Sequence, residues 1–141
     1  MTKLDLLKDW YQRVWIEGDL GAIDSFFAPR AGADGLMPDG QVSMEDFRAL
    51  VPALLALIRD PAIDIDRSVE AGDWLWAQIT VRALTARGVD PIRASGQVMV
   101  RVEDGKIADA YNAFDFITFF EQAELLPPDA FMLLLSGEKL G

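Results

Sequence analysis

Two amides stand where they could hold a ligand oxygen. Asp104-Gly105 is a strong two-residue hairpin signal. If the flanking strands pair regularly from Glu103 opposite Lys106, Met99 falls opposite Ala110, Gln97 opposite Asn112 and Ser95 opposite Phe114. One face of that hairpin then carries Ser95, Gln97, Met99, Ala108, Ala110, Asn112 and Phe114, and the other carries Gly96, Val98, Val100, Val102, Ile107 and Tyr111. An amide pair in an otherwise apolar setting suits a pocket floor, because pockets are mostly apolar with a few placed polar groups. The same two amides could instead bond each other across the strands, which leaves their remaining donors and acceptors in need of partners. The valine-rich face is then expected to be covered by a second copy of the chain or by the C-terminal segment.

The residue types that are missing narrow the chemistry further. There is no histidine and no cysteine. This removes the usual general base near neutral pH, Ser-His-Asp and Cys-His nucleophiles, zinc–thiolate sites and disulfides. Neither G-x-G-x-x-G nor G-x-x-x-x-G-K-[ST] occurs, so no phosphate cradle is expected. Asp64 and Asp66 have the spacing of a calcium loop, but Arg67 follows and the loop glycine and terminal glutamate are missing. No metal site is expected.

Other candidate ligand contacts are aromatic or basic. Tyr11, Trp15 and Phe27 fall on apolar helix faces, where such residues are core or pocket wall, and a tyrosine hydroxyl there could reach a ligand carbonyl. Trp74 and Trp76 share a strand face with Gln78, Thr80 and Arg82, and Arg82 could pair with a buried carboxylate or reach solvent. Asp34 and Asp39 lie on a glycine-rich stretch that could border a pocket mouth.

The elements that must position these residues are plain in the spacing. Leu4, Leu7, Tyr11, Val14 and Trp15 predict a helix over residues 3–17, and Gly18 stops it. Asp19 reads as the N-cap of a short second helix that ends at Pro29. Residues 30–42, with three glycines and one proline, read as a long loop and a candidate lid. Ser43 opens S-x-x-D ahead of Phe47, Leu50, Val51, Leu54, Leu55 and Ile58, a third and strongly apolar helix. From Pro61 the period becomes two, which predicts strands near 62–71, 74–86, 91–103 and 106–113. Helices followed by hairpin-connected strands give an α+β fold, with residues 1–141 as one domain. Residues 124–141 form an apolar tail, with Leu125 to Leu135 packed on the domain or on a dimer partner.

Composition bounds the partners. Against 23 acidic residues there are 13 basic ones, a net charge of −10, which repels nucleic acid and anionic membrane surfaces. Apolar residues make up 51% of the chain, so the acids must coat a large core or an apolar pocket, a combination that suits an uncharged ligand. The longest nearly uncharged stretch, residues 49–58, is about half a membrane span. Met1 to Lys8 lacks the form of a signal peptide. A soluble, cytoplasmic protein is expected, and a homodimer, since two-fold dimers are the commonest oligomers.

Three pieces carry a resemblance: Trp15 to Pro29 (W-I-E-G-D-L-G-A-I-D-S-F-F-A-P), the Phe47-Arg-Ala-Leu helix, and Arg101-Val-Glu-Asp-Gly-Lys-Ile107 running on to Asp115 and Gln122. Together they resemble the SnoaL-like polyketide cyclases of the NTF2-like superfamily, over about residues 4–123. The resemblance implies a cone-shaped α+β barrel, with N-terminal helices packed on a curved antiparallel sheet that encloses an apolar pocket for a hydrophobic small molecule. It further implies ring closure by intramolecular aldol condensation without a cofactor, using an acid on the last strand. The family's histidine and acid fall near Ala110 and Asn112 here, and neither matches. Asn112 can donate a hydrogen bond to a carbonyl or enolate oxygen but cannot exchange its proton at neutral pH. Asp115 fits a second recurrent family acid, and it also sits where a helix N-cap would, before Phe116. Asp115, which the resemblance suggests, and Asn112, from its place on the last strand, are the candidate catalytic residues, with Tyr11, Trp15, Phe27, Trp76, Arg82, Gln97, Met99 and Phe114, from their places on helix and strand faces, as candidate ligand contacts. A non-catalytic ligand-binding member is the alternative. An epoxide-hydrolase-like site would need Arg82 or Arg101 between two buried acids, and Arg101 lies too near a hairpin turn for that.

Overall fold

A computed structural model describes all 141 residues. Helix α1 (Lys3–Trp10) is started by a capping box in which the Thr2 hydroxyl accepts from the Asp5 amide and the Asp5 carboxylate accepts from that of Thr2. It continues as a π-helical segment, Tyr11–Ile16. A 3₁₀ turn (Leu20–Ala22) leads into the short α2 (Ile23–Phe26). Asp19 does not cap it with its side chain. The carboxylate turns back to Arg13 instead, 3.3 Å away.

The expected loop over residues 30–42 is partly strand. Gly32–Asp34 (β1) pairs in parallel with the last strand, and Val42–Ser43 (β2) pairs with β1, so glycine-rich chain extends the sheet. Ser43 and Asp46 form the second capping box and start α3 (Met44–Leu55). The four long strands follow as β3 (Ile58–Ala71), β4 (Trp74–Thr85), β5 (Pro91–Glu103) and β6 (Lys106–Phe114), then α4 (Phe116–Gln122) and α5 (Ala130–Leu135).

The strand order is β2-β1-β6-β5-β4-β3, and the six-stranded sheet stays open instead of closing into a barrel. Helices α1, α2 and α3 cover one face. Leu7, Val14, Ile23, Phe47 and Val51 from the helices meet Leu75, Ala77, Val98, Val100 and Ile107 from the sheet in one buried cluster. No helix is long and apolar enough to cross a membrane.

One irregularity decides which side chains face that core. Asp104 and Gly105 both have positive φ, 52° and 75°, as the tight turn requires, and Glu103 does pair with Lys106. Ala108 is then an extra residue: Val102 pairs with Ile107, but Arg101 pairs with Asp109. Every pair beyond it moves by one, so Val98, not Gln97, lies opposite Asn112, and Gly96 lies opposite Phe114. The valine-rich face of β5 is accordingly the inner one, covered by the chain's own helices, and the face that carries Gln97 and Met99 points outward.

Candidate functional site

Between the helices and the inner sheet face lies a cavity of about 120 Å³. Ile79, Val81, Val98, Val100 and Ala110 make its floor, one from every second position of three neighbouring strands. Leu7, Trp10, Tyr11 and Trp15 from the first helix and Phe47 from α3 make its roof, while Phe114, Phe116 and Phe119 close one end. The aromatic roof is rigid by mutual packing: Trp10 meets Phe27 and Phe47 edge-on at 5.1 and 5.2 Å, and Phe27 stacks on Phe47 at 5.7 Å. No charged side chain reaches the wall. An ion placed there would lose its hydration with nothing to replace it, so the cavity selects against charged ligands.

Besides the tryptophan indoles, two polar side chains remain at the wall. The Tyr11 side chain is buried, only 8% exposed, and burial raises its phenol well above the usual value, so it is a neutral donor. Its hydroxyl has no protein partner, yet no fully buried polar atom is left unsatisfied, so the oxygen borders open space beside the cavity wall to which Tyr11 contributes. Asn112 donates through Nδ2 to the main-chain carbonyl of Asp34 at 3.2 Å, which leaves its own carbonyl oxygen as an acceptor. Strand β1 thus fixes the Asn112 amide from outside the hairpin that carries it.

Of the residues singled out from sequence, Tyr11, Trp15, Phe27, Asn112 and Phe114 are brought together around this cavity. Trp76, Arg82 and Met99 are not, because the pleat sends them to the opposite face of the sheet. There Arg82 grips Asp64 with two bonds, 2.7 and 3.2 Å, and this hydrogen-bonded pairing holds the Asp64 carboxyl below its ordinary value. The Gln97 amide accepts from the Trp76 indole at 2.9 Å on that outer face, while the residue still borders the cavity. Arg101 joins Asp109 at 2.6 Å and Glu103 at 3.2 Å, an acid–arginine–acid row, but an outward and partly exposed one.

Asp115 caps α4. One carboxylate oxygen accepts from the Thr118 amide at 3.0 Å and the other from the Thr118 hydroxyl at 2.6 Å. It is exposed, although Phe114 and Phe116 on either side of it both line the cavity. Sequence reasoning passed over Trp10, which lies three residues after Leu7 on the same apolar stripe, and the floor residues Val98 and Val100, which the extra residue at Ala108 turned inward.

The sequence signature of the SnoaL-like domain matches residues 7–110. No curated protein matches. Among solved structures, IdmH of Streptomyces antibioticus, a candidate polyketide cyclase, is 20% identical, covers 88% of this chain and 99% of its own, and superposes with a TM-score of 0.71. AclR of Streptomyces galilaeus, a candidate hydroxylase, is 18% identical over 95% of this chain and 88% of its own, with a TM-score of 0.74. A Catenulispora acidiphila protein of ketosteroid-isomerase-like fold, solved with trimethylamine, is 16% identical over 91% and 98%, also at 0.74.

Proposed function

This chain belongs to the SnoaL-like domain family, and from that premise we propose that it binds an uncharged, largely apolar small molecule bearing one carbonyl-type oxygen. The observation that carries the reading is the Tyr11 hydroxyl, a neutral donor without a protein partner at the wall of a cavity that is otherwise apolar. Asn112 offers an acceptor at the same wall. A ligand oxygen that accepts from Tyr11 satisfies that hydroxyl. The test compares acetophenone with ethylbenzene, which differ by that oxygen, and follows the indole N–H signals of Trp10 and Trp15 in NMR titrations. Tyr11→Phe should weaken acetophenone by about tenfold, the worth of one net hydrogen bond of about 1.4 kcal/mol, and leave ethylbenzene unchanged. Equal loss for both would sink the donor role.

The second reading is catalytic: a cofactor-free, polyketide-cyclase-like aldol cyclisation or isomerisation of a hydrophobic carbonyl compound. It is favoured by the flanking of Asp115 by two cavity residues, Phe114 and Phe116. Asp115 would then carry the proton while Tyr11 and Asn112 hold the oxygen. The binding reading is preferred because both Asp115 oxygens are engaged by Thr118 and no carboxylate lines the cavity. An epoxide-hydrolase-like reaction has less support, since the Arg82 and Arg101 pairs are on the outer face.

A homodimer belongs to the same proposal, with its interface on the outer face. Trp74 stacks on Tyr111 there at 6.1 Å, and Val69, Met99 and Tyr111 stand 59%, 41% and 45% exposed beside them.

A further inference from the structure

Tyr11 also borders a second space beside the cavity. A cleft runs between the first helix and β3, walled by Lys8, Asp9 and Gln12 on one side and by Pro61, Ala62 and Asp64 on the other. Tyr11, Ile16, Pro61 and Ile63 border both the cleft and the cavity, so these four form the neck between them. Both walls of the neck are irregular at the same level. On the helix side, Tyr11–Ile16 is π-helical, with the Glu17 amide reaching back to the Gln12 carbonyl at 2.9 Å. On the strand side, β3 breaks register with β4 between Arg59 and Ala62, where Asp60 takes a positive φ of 51° ahead of Pro61. A π-helical turn and a bulge are each less favourable than the regular element, and both recur where a protein holds a ligand.

The cleft differs from the cavity in chemistry. Lys8 and Asp9 bring one charge of each sign, and the Asp64 charge is matched by Arg82 at 2.7 Å. Gln12 gives its amide N–H to Glu17 at 3.0 Å and keeps its carbonyl oxygen. The result is a wall of mixed donors and acceptors with no excess of either sign, which suits hydroxyl groups better than a phosphate or an ammonium.

We propose that cavity and cleft form one bipartite site for an amphipathic ligand, its apolar body in the cavity and an uncharged, hydroxylated end in the cleft, joined past Tyr11. The proposal rests on the reading of the cavity as a ligand site. It gives the roof tyrosine a place at the junction, where the ligand changes from apolar to polar.

Toluene and benzyl β-D-glucopyranoside test it, titrated separately while the Trp10 and Trp15 indole signals are followed in the full chain. The glucoside should bind at least tenfold more tightly than toluene. In the Lys8→Ala/Gln12→Ala double variant, both exposed positions whose replacement leaves the fold intact, that ratio should fall to about one. A ratio that survives in the variant, or a glucoside that binds no better than toluene to the parent chain, overturns the bipartite site while the cavity reading stands. Failure of toluene to shift either indole overturns the cavity reading, and the bipartite site with it.

Discussion

Gly35 lies against the main chain of Asn112, so close that a β-carbon on it would overlap the Asn112 carbonyl. Gly35 also takes a φ of 86°, where side chains are strained. The contact presses the end of β1 onto β6 and lets Asn112 reach the Asp34 carbonyl. Gly35→Ala should therefore destabilise the fold by about 1–3 kcal/mol through backbone strain alone. It should also move the Asn112 side-chain amide resonance, which thermal melts and amide NMR would read together.

Tyr11 should set the alkaline limit of stability. Burial raises its phenol above the ordinary tyrosine value, so the folded state holds the proton more tightly than the unfolded chain does. Its contribution is complete below the unfolded value of about 10 and is lost as pH rises above it. Absorbance near 295 nm should show the ionisation of Tyr11 coinciding with loss of near-UV circular dichroism. Tyr11→Phe should remove that coincidence.

Asp115 can be separated into cap and catalyst by two substitutions. Asparagine is as good an N-cap as aspartate, and alanine is not. Asp115→Ala should lower stability by about 1 kcal/mol and Asp115→Asn by much less. With turnover assayed on an aldol-competent diketone, activity in the parent chain that vanishes in Asp115→Asn would establish the catalytic reading. Unchanged ligand affinity in both variants with only the alanine form less stable is the outcome expected of a binding protein.

On the acid side, three carboxyls lie below their ordinary value for stated reasons: Asp5 through the Thr2 amide and hydroxyl, Asp46 through those of Ser43, and Asp64 through Arg82. A lowered carboxyl stabilises the fold above its unfolded value, 3.8, and the stabilisation is lost as pH falls through the lower folded value. Helix α3 should begin to fray in that window. In Ser43→Ala the chemical-shift titration of Asp46 should return towards 3.8.

Size-exclusion chromatography with light scattering checks the outer sheet face. The parent chain should run as a dimer and Tyr111→Lys as a monomer, since a lysine beside Trp74 would leave a charge in a covered interface. A parent chain that runs as a monomer removes the dimer from the proposal.

Most of the scaffold was legible because its signals are local. The Ser43 S-x-x-D capping box, the change of period at Pro61 and the Asp104-Gly105 turn all act within a few residues, and the long strands fall within a few residues of their expected ends. The site was less so, and one residue accounts for much of it. Ala108 adds a single position to β6, which no alternation of residue types announces, and it moves Gln97 and Asn112 to opposite faces. Asn112, Ala110 and Phe114 still came inward, because the slip turned β5 over and left β6 facing the helices. Strands β1 and β2 were read as loop because three- and two-residue pairings have no periodicity to detect.

The register breaks of β3 have a second effect away from any ligand. As an outer strand of the sheet it presents a free row of main-chain donors and acceptors over 14 residues, long enough to recruit a strand from another molecule. The breaks at Arg59/Ala62 and Ile65/Arg67 divide that row into short stretches of mismatched phase. Asp60, Asp64, Asp66 and Glu70 repeat a negative charge along it. An invading copy of the same strand could keep register for only a few residues. The break beside the cleft therefore also leaves this edge a poor template for a copy of itself.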